Sequence, residues 1–164
     1  MATRILLLLL IVLPLQAEAQ STFDGGTFSL TLDDHWAQID YDKSQNQYTF
    51  VSRQPDARLR ISGLEIKVKP GTIDKLASAT LLFVVDRELR LHSQGRGVIE
   101  RQWAFPIDGG RQINYFGHDS SRRFFRYAGV VFEHKVIGVY LETRVDSERE
   151  REALFASVIT GLSY

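Results

Sequence analysis

The sequence predicts an α+β fold in which a central antiparallel sheet carries helices on both faces. Three observations lead there. The elements run in the order strands, helix, strands, helix. Two stretches, Ile73–Leu89 and the segment from Ser147 to Leu162, space their apolar residues by three and four, as helices with one buried face do. In Lys135–Glu142, both alternate sets are apolar: Val136, Gly138 and Tyr140 on one side, Ile137, Val139 and Leu141 on the other. A strand with one wet face would alternate apolar and polar, so this strand is expected to be covered on both sides.

The chain opens on an address. Met1–Arg4 is a short cationic start, Ile5–Leu13 is uninterrupted and apolar, Pro14 breaks it, and Ala17-Glu18-Ala19 offers small residues where a signal peptidase reads. Residues 1–19 are expected to be a secretory signal peptide cleaved after Ala19. The apolar run is shorter than the roughly 20 residues that span a membrane, and without cysteine no lipoprotein anchor is possible. No stable membrane anchor is therefore expected, and the mature chain should be periplasmic or secreted. It would comprise residues 20–164, the size of a single domain.

Composition narrows the function classes. The absence of cysteine rules out a disulfide framework, so the core alone must hold the fold. Twenty basic and twenty acidic residues give a formal net charge of zero. Non-specific nucleic-acid binding rests on excess positive charge, so no nucleic-acid partner is expected.

The elements follow in order. Ser21–Gly26 is polar and reads as loose. Thr27–Leu32 alternates, burying Phe28, Leu30 and Leu32. Asp33-Asp34-His35 turns, Trp36–Tyr41 is extended, and Lys43–Gln47 turns again. Tyr48–Val51 is a strand. After Gln54-Pro55-Asp56 comes the long strand Arg58–Lys69, whose apolar set changes side near Gly63 and so predicts a bulge or bend there. Pro70-Gly71-Thr72 stops the strand and caps the first helix, with Lys75 where a full capping box would place Glu. Ser93–Gly97 links to the strand Val98–Phe105. Asp108-Gly109-Gly110 is a hairpin turn with glycine available for positive φ. The strands Arg111–His118, Arg122–Phe132 and Lys135–Arg144 form a meander. Ser147 and Glu150 make a capping-box pair at the last helix, whose apolar face is Ala153, Leu154, Phe155, Val158, Ile159 and Leu162. Glu148, Glu150 and Glu152 suit the positive end of its dipole.

The stretch Phe28-Ser29-Leu30-Thr31-Leu32-Asp33-Asp34-His35-Trp36 resembles the start of the PsbP/Mog1-like families, including the bacterial exported DcrB-like group: an alternating strand, a short turn, then Trp. The hairpin Gly129–Thr143 and the ending Val158-Ile159-Thr160-Gly161-Leu162 are similar to that superfamily's C-terminal half. The chain departs from it at Asp34, where members often carry Pro. The resemblance implies the sandwich of a sheet between helices. It also implies accessory, chaperone or binding roles rather than catalysis.

No catalytic constellation stands out. His35, His92, His118 and His134 lack the i, i+4 spacing of a helical zinc site and have no cysteine partner. Ser62 lacks the G-x-S-x-G elbow. Ser120 and Ser121 adjoin His118 and Asp119, yet sequence neighbours need not converge in space. Asp33, Asp34, Asp40 and Asp42 could offer oxygen ligands to calcium, but their spacing does not match the twelve-residue calcium loop. Turn aspartates that bond their own backbone are the simpler explanation. Neither cofactor nor metal is expected, and the chain is not expected to be an enzyme.

The segment Arg122, Arg123, Phe124, Phe125, Arg126, Tyr127 is the candidate binding site. Arginine beside aromatics is the composition of interface hot spots, and guanidinium groups take acids in a forked geometry. Arg122, Phe124 and Arg126 should share one strand face, Arg123, Phe125 and Tyr127 the other. The plainer alternative is a strand end whose arginines cover the sheet rim and pair with acids such as Glu142. The expected function is an exported, non-catalytic accessory protein that binds another protein with an acidic surface. One version is an immunity protein against a toxin delivered to the periplasm. The rival is a carrier of a small apolar ligand, with a pocket between sheet and helix lined by Phe83, Trp103, Phe116 and Tyr140.

Overall fold

Alternation of apolar and polar residues builds a large sheet, and register decides what each face carries. A computed structural model describes residues 20–67, 69, 71–75 and 97–164. Its strands are β1 (Gln20–Asp24), β2 (Ser29–Asp33), β3 (Trp36–Asp42), β4 (Gln47–Arg53), β5 (Asp56–Glu65), β6 (Gly97–Ile107), β7 (Gly110–Asp119), β8 (Phe124–Phe132), β9 (Lys135–Thr143) and β10 (Leu162–Ser163). Two helical segments are described, the single turn α1 (Thr72–Lys75) and α2 (Glu148–Thr160). Seven strands form one sheet in the order β3-β4-β5-β9-β8-β7-β6, and three form a second in the order β1-β2-β10. Every neighbouring pair is antiparallel.

The expected α+β layering, with helices packed on both faces of a central sheet, is overturned. The described chain is mostly strand in two sheets, and among the described residues α2 is the one helix longer than a turn. Part of the difference lies in strands too weakly patterned to read. Most of the Ser21–Gly26 stretch expected to be loose belongs to β1, where only Phe23 points inward from an otherwise exposed strand. β10 has two residues, too few for any period to show. The helix expected over Ile73–Leu89 lies outside the described residues beyond Lys75, as does the expected signal segment 1–19.

The principal core lies between the large sheet, the small sheet and α2. Phe28 and Leu30 of β2, Leu59 and Ile61 of β5, Val139 and Leu141 of β9, and Phe155 and Val158 of α2 meet there. One row of that face reads Phe116, Arg126, Leu141, Leu59, Phe50 across five strands. The opposite face carries a second cluster of Ile113, Tyr115, Phe125 and Tyr140. Tyr115, Tyr127 and Tyr140 stand in register across β7, β8 and β9, and Tyr115 stacks on Tyr127 at 4.8 Å. β9 is thus buried on both faces from Ile137 to Thr143, as its doubly apolar pattern predicts.

Gly63 makes no bulge. β5 stays in register with β9 from Ala57 to Glu65, and the irregularities fall instead at Gln38/Asp40 and Ile99/Arg101. Glycine is needed at 63 because the turn before β2 lies against it: a Cβ there would sit 1.9 Å from the Thr27 hydroxyl. Gly109 does supply the positive φ expected of the β6–β7 turn, at 70°. At α2 the Ser147 hydroxyl accepts the Glu150 N–H, so the predicted cap forms. Ala153 is exposed, and Leu162 belongs to β10 rather than to the helix.

Candidate functional site

Period-two geometry divides the predicted Arg122–Tyr127 segment. β8 begins only at Phe124, so Arg122 and Arg123 belong to the preceding turn. Asp119 organises that turn: one of its carboxylate oxygens accepts the N–H groups of Ser121 at 2.8 Å and Arg123 at 2.9 Å. Arg122 is exposed there, with a left-handed φ of 57°. Phe124 and Arg126 face α2, while Tyr127 faces the second cluster, with its hydroxyl over Gly129 and Gly138.

Arg126 is packed rather than presented. Its guanidinium lies 4.8 Å from the Trp103 ring and 4.6 Å from the Phe155 ring, and its Nε donates to Glu152 at 3.2 Å. Its side chain is 15% exposed. Burial pushes its pKa below the ordinary value, and the Glu152 carboxylate opposes that shift. A second arginine works in the same way. Arg151 of α2 lies 3.7 Å over the Phe124 ring and donates to the carbonyls of Val145 and Asp146. Together these two guanidinium groups fasten α2 to the sheet.

Arg123 takes the alternative role foreseen for it. Its Nη1 donates to Glu142 Oε2 at 3.2 Å, and Arg60 Nη1 donates to the other carboxylate oxygen at 3.3 Å. Glu142 is buried, so one carboxylate is held by two guanidinium groups at the rim of the sheet. Arg60 also lies over the Tyr140 ring at 5.8 Å. Burial first, and then the charge of Glu142, push the Tyr140 hydroxyl well above its ordinary pKa.

This ion cluster forms one wall of a cleft of about 460 Å³. The cleft lies where the β4–β5 hairpin meets the start of β8 and the end of β9. Arg53, Arg58, Arg123 and Arg144 line it together with two carboxylates, Asp56 and Glu142. The Thr143 hydroxyl and the Arg144 N–H both donate to the Asp56 carbonyl, which ties the hairpin to β9. Arg58 stands opposite Glu142 in the β5–β9 ladder, although the ion pairs of Glu142 go to Arg60 and Arg123. Arg53 and Arg58 are exposed and have no carboxylate within salt-bridge distance among the described residues. The Arg144–Asp56 pair is loose, at 3.9 Å between groups that are both largely exposed.

Of the residues around the cleft, the sequence points to Arg123 and Glu142. Arg53, Arg58, Arg60, Arg144 and Asp56 were missed. The pattern Arg58-Leu59-Arg60-Ile61 does put two arginines on one strand face, but nothing local shows that Glu142 pairs there.

The other candidates stay apart. Asp33 accepts the His35 N–H, Asp40 the Tyr41 N–H, and Asp42 both the N–H and the hydroxyl of Ser44. Asp33 and Asp42 are thus the backbone-bonded turn aspartates expected, whereas Asp40 lies within β3 and Asp34 contacts the His35 ring. The two Ser44 bonds hold the Asp42 carboxyl below its usual pKa. Ligand atoms of Asp33, Asp34 and His35 lie within 4.8 Å of one another; Asp40 and Asp42 do not join them. His118 pairs with Glu100 at 2.7 Å, and His134 stacks on Phe132. Of the residues expected to line an apolar pocket, Trp103 and Phe116 touch on the face that carries α2, and Tyr140 lies on the other. The sheet separates them, and Phe83 lies outside the described residues. No helix among the described residues is long and apolar enough to cross a membrane.

No family model matches this sequence, and no curated protein matches it. Solved structures do. The solution structure of cyanobacterial PsbP (CyanoP) from Synechocystis sp. PCC 6803 superposes with a TM-score of 0.67, at 15% identity, over 88% of this chain and 91% of that one. A crystal structure from Bacteroides thetaiotaomicron VPI-5482 overlaps with a TM-score of 0.43, at 12% identity, over 88% of this chain and 47% of that one. The chain therefore has a PsbP-like fold. At this identity the likeness concerns the fold alone, and it does not single out the DcrB-like branch.

Proposed function

We propose that this chain is an exported, non-catalytic binding protein that holds an acidic partner protein at the arginine-rich end of its seven-stranded sheet. The observation that carries the reading is the concentration of charge. Four arginines, at 53, 58, 123 and 144, line one cleft with two carboxylates, and a fifth, Arg60, pairs with one of those carboxylates, in a chain whose formal net charge is zero. A local positive field of that kind favours an acidic surface and speeds encounter with it. Arg122, exposed beside Arg123, extends the same rim. Both versions of the reading, an accessory or chaperone-like factor and an immunity protein against a toxin delivered to the periplasm, need only one rigid charged surface.

The test begins with affinity capture from the periplasmic fraction. Binding of the captured protein is then measured for wild type and for an Arg58→Glu, Arg144→Glu double variant, at low and high salt. Association that weakens with salt and is lost in the folded double variant supports the reading. Equal binding by both proteins, indifferent to salt, would falsify it.

A further inference from the structure

The cleft displays, within its own wall, the chemistry it would use on a ligand. Glu142 is a carboxylate bridged by two guanidinium groups, one on each oxygen. Arg53 and Arg58, in the same cleft, have no such carboxylate among the described residues. We propose that Arg53 and Arg58 form a subsite for an incoming carboxylate side chain, so that the cleft recognises an acidic peptide segment of the partner. This rests on the binding reading above and names the chemical group that is recognised.

Three features support the assignment. The arginine fork matches a carboxylate in both spacing and plane. Both groups are exposed and therefore reachable without opening the fold. Glu142 stands opposite Arg58 in the ladder but pairs with Arg60 and Arg123 instead, and no ion pair joins it to Arg58 among the described residues. Asp56 is the one loosely held acid of the cleft, 3.9 Å from Arg144 and largely exposed. An incoming carboxylate would repel it while competing for Arg144, so Asp56 should weaken binding. That gives a signature which a merely structural role of the arginines would not produce.

The experiment uses a hexaglutamate peptide with neutral ends, and inorganic phosphate as the free oxyanion. Binding is followed by calorimetry and by the arginine side-chain N–H resonances. The wild type should bind hexaglutamate saturably and shift the Arg53 and Arg58 signals. Arg53→Gln or Arg58→Gln should weaken it about tenfold each, a moderate hot-spot loss. Asp56→Asn should tighten it about fivefold, the effect of one unit charge at close range in water. Raising salt from about 0.01 M to about 1 M shortens the screening length from about 30 Å to about 3 Å and should abolish it. Each variant is first checked for a wild-type circular dichroism spectrum and urea midpoint. Absence of hexaglutamate binding, or equal binding to the Arg53→Gln, Arg58→Gln double variant, overturns the subsite. Phosphate binding at Arg53 and Arg58 without hexaglutamate binding also overturns it, in favour of a free oxyanion. The captured partner separates the two levels. If it binds through the cleft while hexaglutamate does not, the subsite fails and the protein-binding reading stands. If it ignores all of these variants, the surface itself is wrong.

Discussion

Arg126→Ala should destabilise the fold without touching partner recognition. The guanidinium lies between the rings of Trp103 and Phe155, bonded to Glu152 and to the Tyr127 carbonyl at 3.2 Å each. Two partly desolvated cation–ring contacts contribute about 0.5–2 kcal/mol each. The ion pair to Glu152, which is half exposed, adds about 0–1 kcal/mol. A hydrogen bond from a charged donor to a carbonyl is worth about 1.5–3 kcal/mol. Desolvating the guanidinium offsets part of that sum, which leaves a net loss of about 2–3 kcal/mol for Arg126→Ala. Arg126→Met keeps an apolar stem between the rings and should lose about 1 kcal/mol, the share left to the ring electrostatics and the lost hydrogen bonds. Urea unfolding of the three proteins at neutral pH measures both differences. A wild-type midpoint for Arg126→Ala would mean that the arginine does not fasten α2. Arg126→Met at or above wild-type stability would mean that packing, not charge, does the fastening. Because the side chain is only 15% exposed, the folded variants should bind the captured partner as wild type does.

Four further outcomes are expected. Phe155→Ala, which empties a position 5% exposed in the main core, should cost about 3–5 kcal/mol in urea, whereas Glu150→Ala at the exposed cap should cost about 0.5 kcal/mol. Gly63→Ala drives a Cβ onto the Thr27 side chain and should cost about 1–3 kcal/mol; Thr27→Ala should recover part of this in a double-mutant cycle. The Tyr140 pKa is raised on folding, so its contribution is complete below the unfolded value of about 10 and is lost as pH rises above it; Tyr140→Phe should flatten that part of the stability–pH curve. Mass spectrometry of protein from the native host should find Gln20 at the N-terminus, and an intact Met1 on the abundant, membrane-bound form would refute export by cleavage.

What the sequence discloses depends on whether the signal is local. The Phe28, Leu30, Leu32 alternation, the double apolar set of β9 and the Ser147 cap all lie within a few residues, and each forms as read. β1 and β10 carry almost no apolar signal. They exist because β2 offers them a partner from elsewhere in the chain, and with them the fold becomes two sheets rather than a helix-covered one. The cleft is harder still. Arg60 meets Glu142 across 82 positions of sequence, and only the β5–β9 register brings them together.

The same limit explains why arginines that look alike in sequence divide so sharply in space. Arg122, Arg123 and Arg126 form one run, yet the turn at Asp119 and the alternation of β8 send them to three surroundings: solvent, the Glu142 pair and the ring clamp under α2. Burial then decides their roles. A guanidinium already held by rings and a carboxylate has little left to offer a partner, and removing it mainly costs stability. An exposed guanidinium without an acid contributes little to the fold but keeps its full donor set for a ligand. By that criterion the arginines of the cleft that keep their donors free of an acid among the described residues are Arg53 and Arg58, which no local motif marks, with Arg122 exposed beside them at the rim.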